Sequence, residues 1–363
     1  MLYKNYAISE NKKSMNTLLR IGMPAGSLAD PNRGGNLVNL LTNSGFDVAG
    51  YAQGGPTKFS SVNFLYGWDG RPQEFGSQLE INEIDVAIAG DDWISERVLE
   101  MKMEYGKEVN LERVLSLNRG GVRLVGIVDC DKFDTIEDFL RNLCSQKKLI
   151  TVASEMPYIT LNWLRTKLDS IGLLDKFQSF SVQKYKTPPK IESGIVIYET
   201  WGKTEAKIKN GGVDIGLDIT QSGSAIKNYG LKIIDTVIHS QTSVWINPVI
   251  RGDAGKLDLL QMFLLNLYGS LNAEKKMMVI FNVSNKHVRE IDRYLREKNL
   301  FADEPTVTVG KEFTVYNIQV DAGNIDEPLA KVRYELAKLG ATSINTLPVQ
   351  SSIPSLRVIL KDN

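Results

Sequence analysis

Short apolar runs alternate with helix-like stretches through most of this chain, and no other feature constrains its fold as strongly. Runs such as LLRIGMP, EIDVAIAG, VRLVGIVD and KLITVAS have the length of buried strands, and NLVNLLTNSGF and IEDFLRNLCSQ have helical spacing. Strands that alternate with helices build α/β folds with parallel sheets. The pattern restarts after Val125, and the run ending in SVWINP predicts a strand that returns to the first sheet. We therefore expect two α/β lobes with a cleft between them.

The C-terminal part follows a different pattern. The stretch GKLDLLQMFLLNLYGS predicts one amphipathic helix, and a domain boundary is expected near Ala273. The segments KMMVIFNVS, VREIDRYLREK, FTVYNIQVD, LAKVRYELAKLG and TSINTLPV then predict strands and helices of a small α+β regulatory domain. The predicted boundaries are 17–127 plus 233–272 for lobe I, 128–232 for lobe II and 274–363 for the last domain.

Charge and cysteine content argue against several classes of protein. The 43 acidic residues balance the 43 basic residues, so binding of nucleic acid through bulk charge is not expected. A zero net charge is still compatible with a local basic pocket for a phosphorylated metabolite. Cys130 and Cys144 lack the spacing and the neighbouring histidine of a zinc or redox site. The polar opening MLYKNYAISENKKSMNT does not resemble a secretory signal, and no apolar run reaches the roughly 18 residues of a membrane span. A cytoplasmic protein is therefore expected.

The segment DIGLDITQSGSAIKNYGL, residues 214–231, is the most informative for function. A strand with two acids leads into a loop rich in serine, threonine and glycine. Backbone N–H groups around Ser222, Gly223 and Ser224 and the first turn of the next helix suit a phosphate, and Asp218 suits ribose hydroxyls. The alternative is simple helix capping, which explains most Gly-Ser turns before a helix.

This segment resembles the phosphoribosyl-diphosphate loop of the ATP phosphoribosyltransferases, which reads approximately DxIVDIVETGxTLxxNGL. The matching residues are Asp214, Asp218, Gly223, Gly230 and Leu231, whereas Ser222 and Ala225 replace the family's two threonines. The resemblance implies that phosphoribosyl diphosphate is bound by Asp214, Asp218, Thr220, Ser222, Gly223, Ser224 and Ala225.

Two further segments of lobe II resemble the same family. The stretch GKTEAKIKNGGVD is similar to the family's GSVExAPxxGLAD, which places Gly202, Thr204 and Glu205 at the edge of the pocket. We expect Glu205 and Asp218 to be the catalytic acids, Glu205 by holding ribose or a water on magnesium; the alternative for Glu205 is a solvated helix charge. The stretch ASEMPYITLNWL resembles ATxYPxLTxxYF through Pro157 and Thr160.

Lobe I carries the segments that the resemblance assigns to ATP. DVAIAGDDW is similar to DLGITGxDV, and NRGGVRLVGIV to GFGGCRLVVAV. The family's LPKGRL stands here as MPAGSL, so Ala25 and Ser27 replace two cations, and Gln73 replaces an arginine of RARDIP. Arg33 and Lys58 are candidates to compensate. The implied ATP-binding residues are Gly26, Arg71, Glu74, Gly90, Asp92 and Arg123.

The resemblance implies a periplasmic-binding-protein-like core of two lobes and a C-terminal ferredoxin-like (ACT-like) domain. It also implies transfer of a phosphoribosyl group from phosphoribosyl diphosphate to N1 of ATP, assisted by Mg²⁺, in the first step of histidine biosynthesis. The ending LAKLGATSINTLPVQSSIP resembles LKxxGAxxILVLPIEKMIP of the histidine-binding domain, which places Ala341, Thr342 and Ser343 at a regulatory site for histidine as inhibitor. Family members of this type are dimers and hexamers, so a homo-oligomer is expected.

Other interpretations remain open at this point. A catalytically silent relative that binds a ligand and regulates a partner is motivated by Ala25 and Ser27, and a solute-binding protein would also have two lobes. Phe64, Tyr66 and Trp68 offer aromatic faces to an adenine, although such loops more often pack on their own domain. His239 and His287 lie far apart in sequence, which favours structural roles for both.

Overall fold

The computed structural model describes residues 18–25, 36–51, 56–300 and 306–359. These residues divide into two compact units, the first within 1–38 and 47–259 and the second within 39–46 and 260–363. The expected Gly26, Ser27 and Arg33 lie outside the described residues. No helix among the described residues is long and apolar enough to span a membrane.

The first unit is built on one nine-stranded sheet with the order β4-β1-β5-β11-β6-β10-β7-β9-β8. The strands are β1 (Leu19–Pro24), β4 (Leu65–Gly70), β5 (Val86–Gly90), β6 (Glu112–Val128), β7 (Leu149–Ser154), β8 (Phe180–Lys184), β9 (Gly194–Glu199), β10 (Ile215–Thr220) and β11 (Lys232–Ile246), and a separate two-stranded ribbon joins β2 (Val48–Ala49) to β3 (Lys58–Phe59).

Two long antiparallel strands join the lobes. β1 pairs in parallel with β4 and β5 on one flank, and β7 pairs in parallel with β9 and β10 on the other. Between these flanks β11 is antiparallel to both β5 and β6, and β10 is antiparallel to β6. The expected α/β fold and the returning strand are confirmed, because Trp245 pairs with Ala87 of β5. The sequence did not predict that one sheet would be continuous through both lobes.

Helices cover the sheet and are placed by ordinary sequence signals. Two helices, α1 (Leu37–Asn43) and α8 (Ala254–Ala273), have residues in both units. The helices wholly within this unit are α2 (Pro72–Glu80), α3 (Asp91–Tyr105), α4 (Ile136–Gln146), α5 (Pro157–Ser170), α6 (Thr204–Lys209) and α7 (Ser224–Asn228). α4, for example, begins where Thr135 accepts a hydrogen bond from the Asp138 N–H. Short 3₁₀ turns occur at Leu174–Phe177, Pro248–Gly252 and Leu356–Val358.

The second unit contains an antiparallel sheet with the order β13-β14-β12-β15. Its elements are β12 (Lys276–Ser284), α9 (Val288–Lys298), β13 (Thr306–Val309), β14 (Phe313–Asp321), α10 (Leu329–Lys338) and β15 (Ala341–Pro348). This βαββαβ order with the first strand next to the last is the ferredoxin-like arrangement that was expected. Phe281 and Tyr316 stack in its core with ring centroids 5.3 Å apart, at an interplanar angle of 5°.

Candidate functional site

The expected phosphate loop lies at the carboxyl end of β10, where the chain turns into α7. Gly223 has φ 76°, a left-handed conformation that favours glycine, and it directly precedes the helix. Its N–H donates to Thr220 Oγ1 at 2.9 Å, and the hydroxyls of Ser222 and Ser224 lie 2.7 Å apart. Both serines are exposed, as is Ala225. The loop is thus a fixed turn that presents two hydroxyls to an incoming ligand.

Glu205 and Asp218 form a hydrogen-bonded carboxyl pair beside this loop. Asp218 lies on β10 and Glu205 in the first turn of α6. Burial, followed by the negative charge of Glu205, raises the pKa of Asp218 to about 7, and the charge of Glu155 adds to this effect. Asp218 thus keeps its proton to a higher pH than an ordinary aspartate does. The structure therefore brings together the two acids that the sequence suggested as catalytic.

Asp214 does not belong to this site. It directly precedes β10, whereas the loop follows the other end of that strand. Because a strand advances about 3.3 Å per residue, Asp214 and Asp218 lie roughly 13 Å apart along the chain. Its carboxylate accepts hydrogen bonds from Thr151 N–H at 2.9 Å and Thr151 Oγ1 at 2.7 Å, and it pairs with Lys147. The expectation that Asp214 binds phosphoribosyl diphosphate is corrected: its side chain ties β10 to β7.

A cleft of about 320 Å³ separates α2 and α3 from α5 and the ends of β8 and β9, and we call it the acid-lined cleft. Arg71 and Glu74, both expected to bind ATP, lie on its wall. Its aromatic residues are Trp93, Tyr158 and Trp201, and its other acids are Glu96, Glu100, Glu155 and Glu199. Acids thus outnumber the cations Arg71 and Arg97, and Arg97 is itself paired with Glu100 at 2.6 Å.

Glu96 joins the two lobes inside this cleft. It lies on α3, and its carboxylate accepts hydrogen bonds from the backbone N–H groups of Tyr158 at 2.8 Å and Ile159 at 2.7 Å, at the start of α5. The Tyr158 hydroxyl also donates to Glu104 of α3 at 2.9 Å. Burial raises the pKa of Glu96 to about 7 despite its two backbone donors. Sequence reasoning missed this residue, because its partners lie more than 60 positions away.

A second cavity, of about 380 Å³, lies on the other side of the start of α3, and we call it the base-lined cavity. Asp91 lines it, whereas Trp93 lines the acid-lined cleft. The expected Arg123 lies on its wall. Its further lining residues are Arg113, Gly121, Val122, Gln221, His239, Ser240 and Gln241. Gln221 belongs to the phosphate loop, so this loop reaches from the acid pair to the base-lined cavity.

Gly90 and Asp92 shape the start of α3. Asp92 is 4% exposed, its Oδ1 accepts the N–H of Trp93 at 2.9 Å, and its own N–H donates to Ser240 Oγ at 3.0 Å. A side chain at Gly90 would collide with this carboxylate. The expectation that Asp92 binds ATP is corrected, because its carboxylate is buried in helix-capping contacts; Gly90 supplies the space that these contacts need.

The expected regulatory residues lie on β15, an edge strand of the second unit. Thr342 and Ser343 are exposed, and Ser343 has φ 52°. Ala341 is 7% exposed and packs in the core beneath the helices. Ala341 is therefore too buried to contact a ligand directly, whereas Thr342 and Ser343 are accessible.

The acids of the site do not form a metal cage. Among the described residues, no group of three or more histidine, cysteine, aspartate or glutamate side chains is arranged to hold a metal ion. Glu205 and Asp218 could contact a magnesium ion only if substrate phosphates and water supplied its other oxygen ligands.

The chain is 25% identical to ATP phosphoribosyltransferase 1 of Geobacter sulfurreducens over 352 residues, covering 93% of this chain and 100% of that protein. It is also 25% identical to the ATP phosphoribosyltransferase of Nitratidesulfovibrio vulgaris, covering 86% and 90%. A solved ATP phosphoribosyl transferase (HisG:HisZ) complex from Thermotoga maritima aligns with a TM-score of 0.46 and 17% identity, covering 69% of this chain and 98% of that one.

The family model for HisG, ATP phosphoribosyltransferase, matches residues 71–266, which is more than half of the 363-residue chain. The matched range contains the acid pair, the phosphate loop, the acid-lined cleft and the base-lined cavity. The chain therefore belongs to the ATP phosphoribosyltransferase family, the pentosyltransferases of the first step of histidine biosynthesis, as its motifs indicated.

Proposed function

We propose that this chain transfers the phosphoribosyl group of phosphoribosyl diphosphate to N1 of ATP at the carboxyl end of β10. The observation that supports this placement is the hydrogen-bonded pair of Glu205 and Asp218 next to the exposed hydroxyls of Ser222 and Ser224. Carboxyl groups suit the ribose hydroxyls, and serine hydroxyls suit the 5′-phosphate. Thr220 and Gly223 fix the turn between them.

The reaction needs alignment more than acid-base chemistry. The bond from C1′ to diphosphate breaks as the bond to N1 of adenine forms, and diphosphate is already a good leaving group. Glu205 and Asp218 offer carboxyl oxygens to the two ribose hydroxyls and so fix the orientation of the sugar. The cleft between the lobes excludes water, which would otherwise hydrolyse the activated sugar.

Mg²⁺ is proposed to accompany the diphosphate rather than to reside in the protein. Magnesium commonly binds through one or two carboxylates together with substrate phosphates, and the pair of Glu205 and Asp218 fits that pattern. When bound, the ion would neutralise the charge of the departing diphosphate.

The acceptor base is proposed to enter the acid-lined cleft. Trp93, Tyr158 and Trp201 line that cleft and offer faces for stacking on adenine, and Arg71 provides a cation at its edge. The triphosphate would extend away from the glutamates of this cleft, because like charges disfavour one another.

Regulation and assembly remain proposals drawn from the family. We propose that the domain of residues 274–363 binds histidine near Thr342 and Ser343 and that histidine lowers activity. We also propose a cytoplasmic homo-oligomer, with lobe II formed by residues 128–232 between the two long strands. Histidine would act by favouring a less active arrangement of the same chains.

The experiment is a spectrophotometric assay of the purified protein with ATP, phosphoribosyl diphosphate, magnesium and a diphosphatase, with and without histidine. Formation of phosphoribosyl-ATP is the expected result, and inhibition by histidine would support the regulatory proposal. Binding of either substrate without product would instead favour a silent regulator or an enzyme with another acceptor, which Ala25 in place of a lysine motivates.

A further inference from the structure

His239 and Arg123 lie side by side on the two longest strands of the sheet. Arg123 of β6 pairs in register with His239 of β11 on one side and with Thr220 of β10 on the other. Residues directly opposite one another in antiparallel strands project to the same face, so the three side chains form one row. This row ends at Thr220, whose hydroxyl holds the phosphate loop.

The cations of this row face the base-lined cavity and have no acidic partner among the described residues. The other charged groups of the cavity are Arg113 on β6 and Asp91 at the start of α3, and these two pair with each other at 3.1 Å. Arg113 is therefore largely neutralised, whereas Arg123 and His239 remain available. Gln221, Ser240 and Gln241 add uncharged hydrogen-bonding groups to the same wall.

We propose that His239 and Arg123 together bind a diphosphate group in the base-lined cavity. The assignment of this group to a substrate or product of the reaction rests on the proposed function. A guanidinium fork matches phosphate oxygens, and a protonated imidazole adds a second cation beside it. This pair supplies positive charge next to the phosphate loop. The chain has Ala25 where the family's LPKGRL segment has a lysine, so a cation is missing there.

The charge of the side chain at position 239 is what the test changes. A protonated imidazole attracts an anion, whereas a neutral side chain offers it only a hydrogen bond. Because phosphate groups also titrate near about pH 6, each variant must be compared with the wild-type protein at the same pH.

The test is calorimetric binding of inorganic diphosphate, without magnesium or histidine, to full-length wild-type protein and to three variants. His239→Gln keeps a hydrogen-bonding group but cannot become charged, and His239→Lys stays charged throughout. His287→Gln is the matched control, because the chain has two histidines and His287 lies in the second unit. We expect His239→Gln to bind diphosphate about tenfold more weakly than the wild-type protein at about pH 6.

His239→Lys should bind at least as tightly as the wild-type protein at about pH 8, and His287→Gln should follow the wild-type protein at both pH values. Equal affinities of His239→Gln and the wild-type protein at about pH 6 would overturn the inference. An equal loss of diphosphate affinity in His287→Gln would also overturn it, because the effect would then not come from the base-lined cavity.

Steady-state kinetics distinguish the two sources of the diphosphate group. A raised KM for phosphoribosyl diphosphate in His239→Gln identifies the donor, and a raised KM for ATP identifies the acceptor. If the wild-type protein binds diphosphate with the expected dependence on His239 but forms no phosphoribosyl-ATP, the proposed function fails and the anion site stands. If product forms and His239→Gln binds diphosphate as tightly as the wild-type protein, the proposed function stands and the anion site fails.

Discussion

The two cavities on either side of the start of α3 carry opposite charge. The acid-lined cleft has glutamates on α2, α3 and β9, whereas the base-lined cavity has Arg123 and His239 with no acidic partner among the described residues. The phosphate loop reaches the second cavity through Gln221, and Glu155 of the first cavity influences Asp218 through its charge. The difference teaches that two cavities beside one helix start can differ in charge, because different strands and helices line them. In the proposed mechanism the acids would lie around sugar and base, and the cations around the diphosphate.

The largest effect is expected at Glu96, the buried acid of the acid-lined cleft. Its folded-state pKa of about 7 exceeds the ordinary value of 4.5, so the folded protein holds this proton more tightly than the unfolded chain. The free energy of unfolding should therefore decrease as pH rises from about 4.5 to about 7 and be unaffected by Glu96 above that. The contribution is about 3 kcal/mol at roughly 1.4 kcal/mol per pH unit.

Glu96→Gln should flatten this dependence, since the amide does not titrate in that range. Urea unfolding followed at several pH values measures it. Glu108→Gln is the control, because Glu108 is exposed and its one ion pair among the described residues is with the exposed Lys102. Identical pH dependence in Glu96→Gln and the wild-type protein would show that Glu96 does not titrate as described.

A smaller effect is expected at Arg123 in the base-lined cavity. Arg123→Gln removes a cation that has no acidic partner among the described residues, and it should weaken diphosphate binding about tenfold, as loss of a charge-assisted hydrogen bond does. Arg113→Gln is the matched control, because Asp91 already neutralises Arg113, and its effect should stay within about threefold. Calorimetry at constant ionic strength measures both. A larger loss in Arg113→Gln would reverse the roles of the two arginines.

The smallest effect is expected at Glu199. This half-buried acid lines the acid-lined cleft, and among the described residues no cation pairs with it. Its charge raises the pKa values of Glu96 and Glu100. Glu199→Gln should lower the KM for ATP about twofold, or roughly 0.5 kcal/mol, because less negative charge faces the acceptor. An increased KM would indicate instead that Glu199 binds the acceptor directly.

Sequence reasoning located the turn from β10 into α7 because its signal is local. A strand, a glycine with positive φ and a following helix occupy consecutive positions, and the structure has all three around Gly223. The same reasoning grouped Asp214 with Asp218, since four positions look close in a sequence. The strand between them carries the two acids to opposite ends of β10.

Residues brought together by long-range pairing were not predictable in the same way. Glu96 caps a helix that begins more than 60 positions later, and His239 becomes a neighbour of Arg123 only through a ladder interrupted by several register shifts. Nothing local marks either side chain, and His239 was expected to be structural. Long-range contacts of this kind decide which charged side chains line each cavity. The opposite charges of the two cavities could therefore be known only from the fold.

The most direct test of the central claim compares two asparagine variants on one strand. Asp218→Asn keeps the size of the side chain and can still hydrogen-bond to Glu205, but it cannot be a carboxylate toward ribose; Asp214→Asn changes the same group at the other end of β10. Calorimetric binding of phosphoribosyl diphosphate with magnesium should weaken about tenfold or more in Asp218→Asn and stay within about twofold in Asp214→Asn. Unchanged affinity in Asp218→Asn, or an equal loss in both variants, would contradict the placement of the donor site.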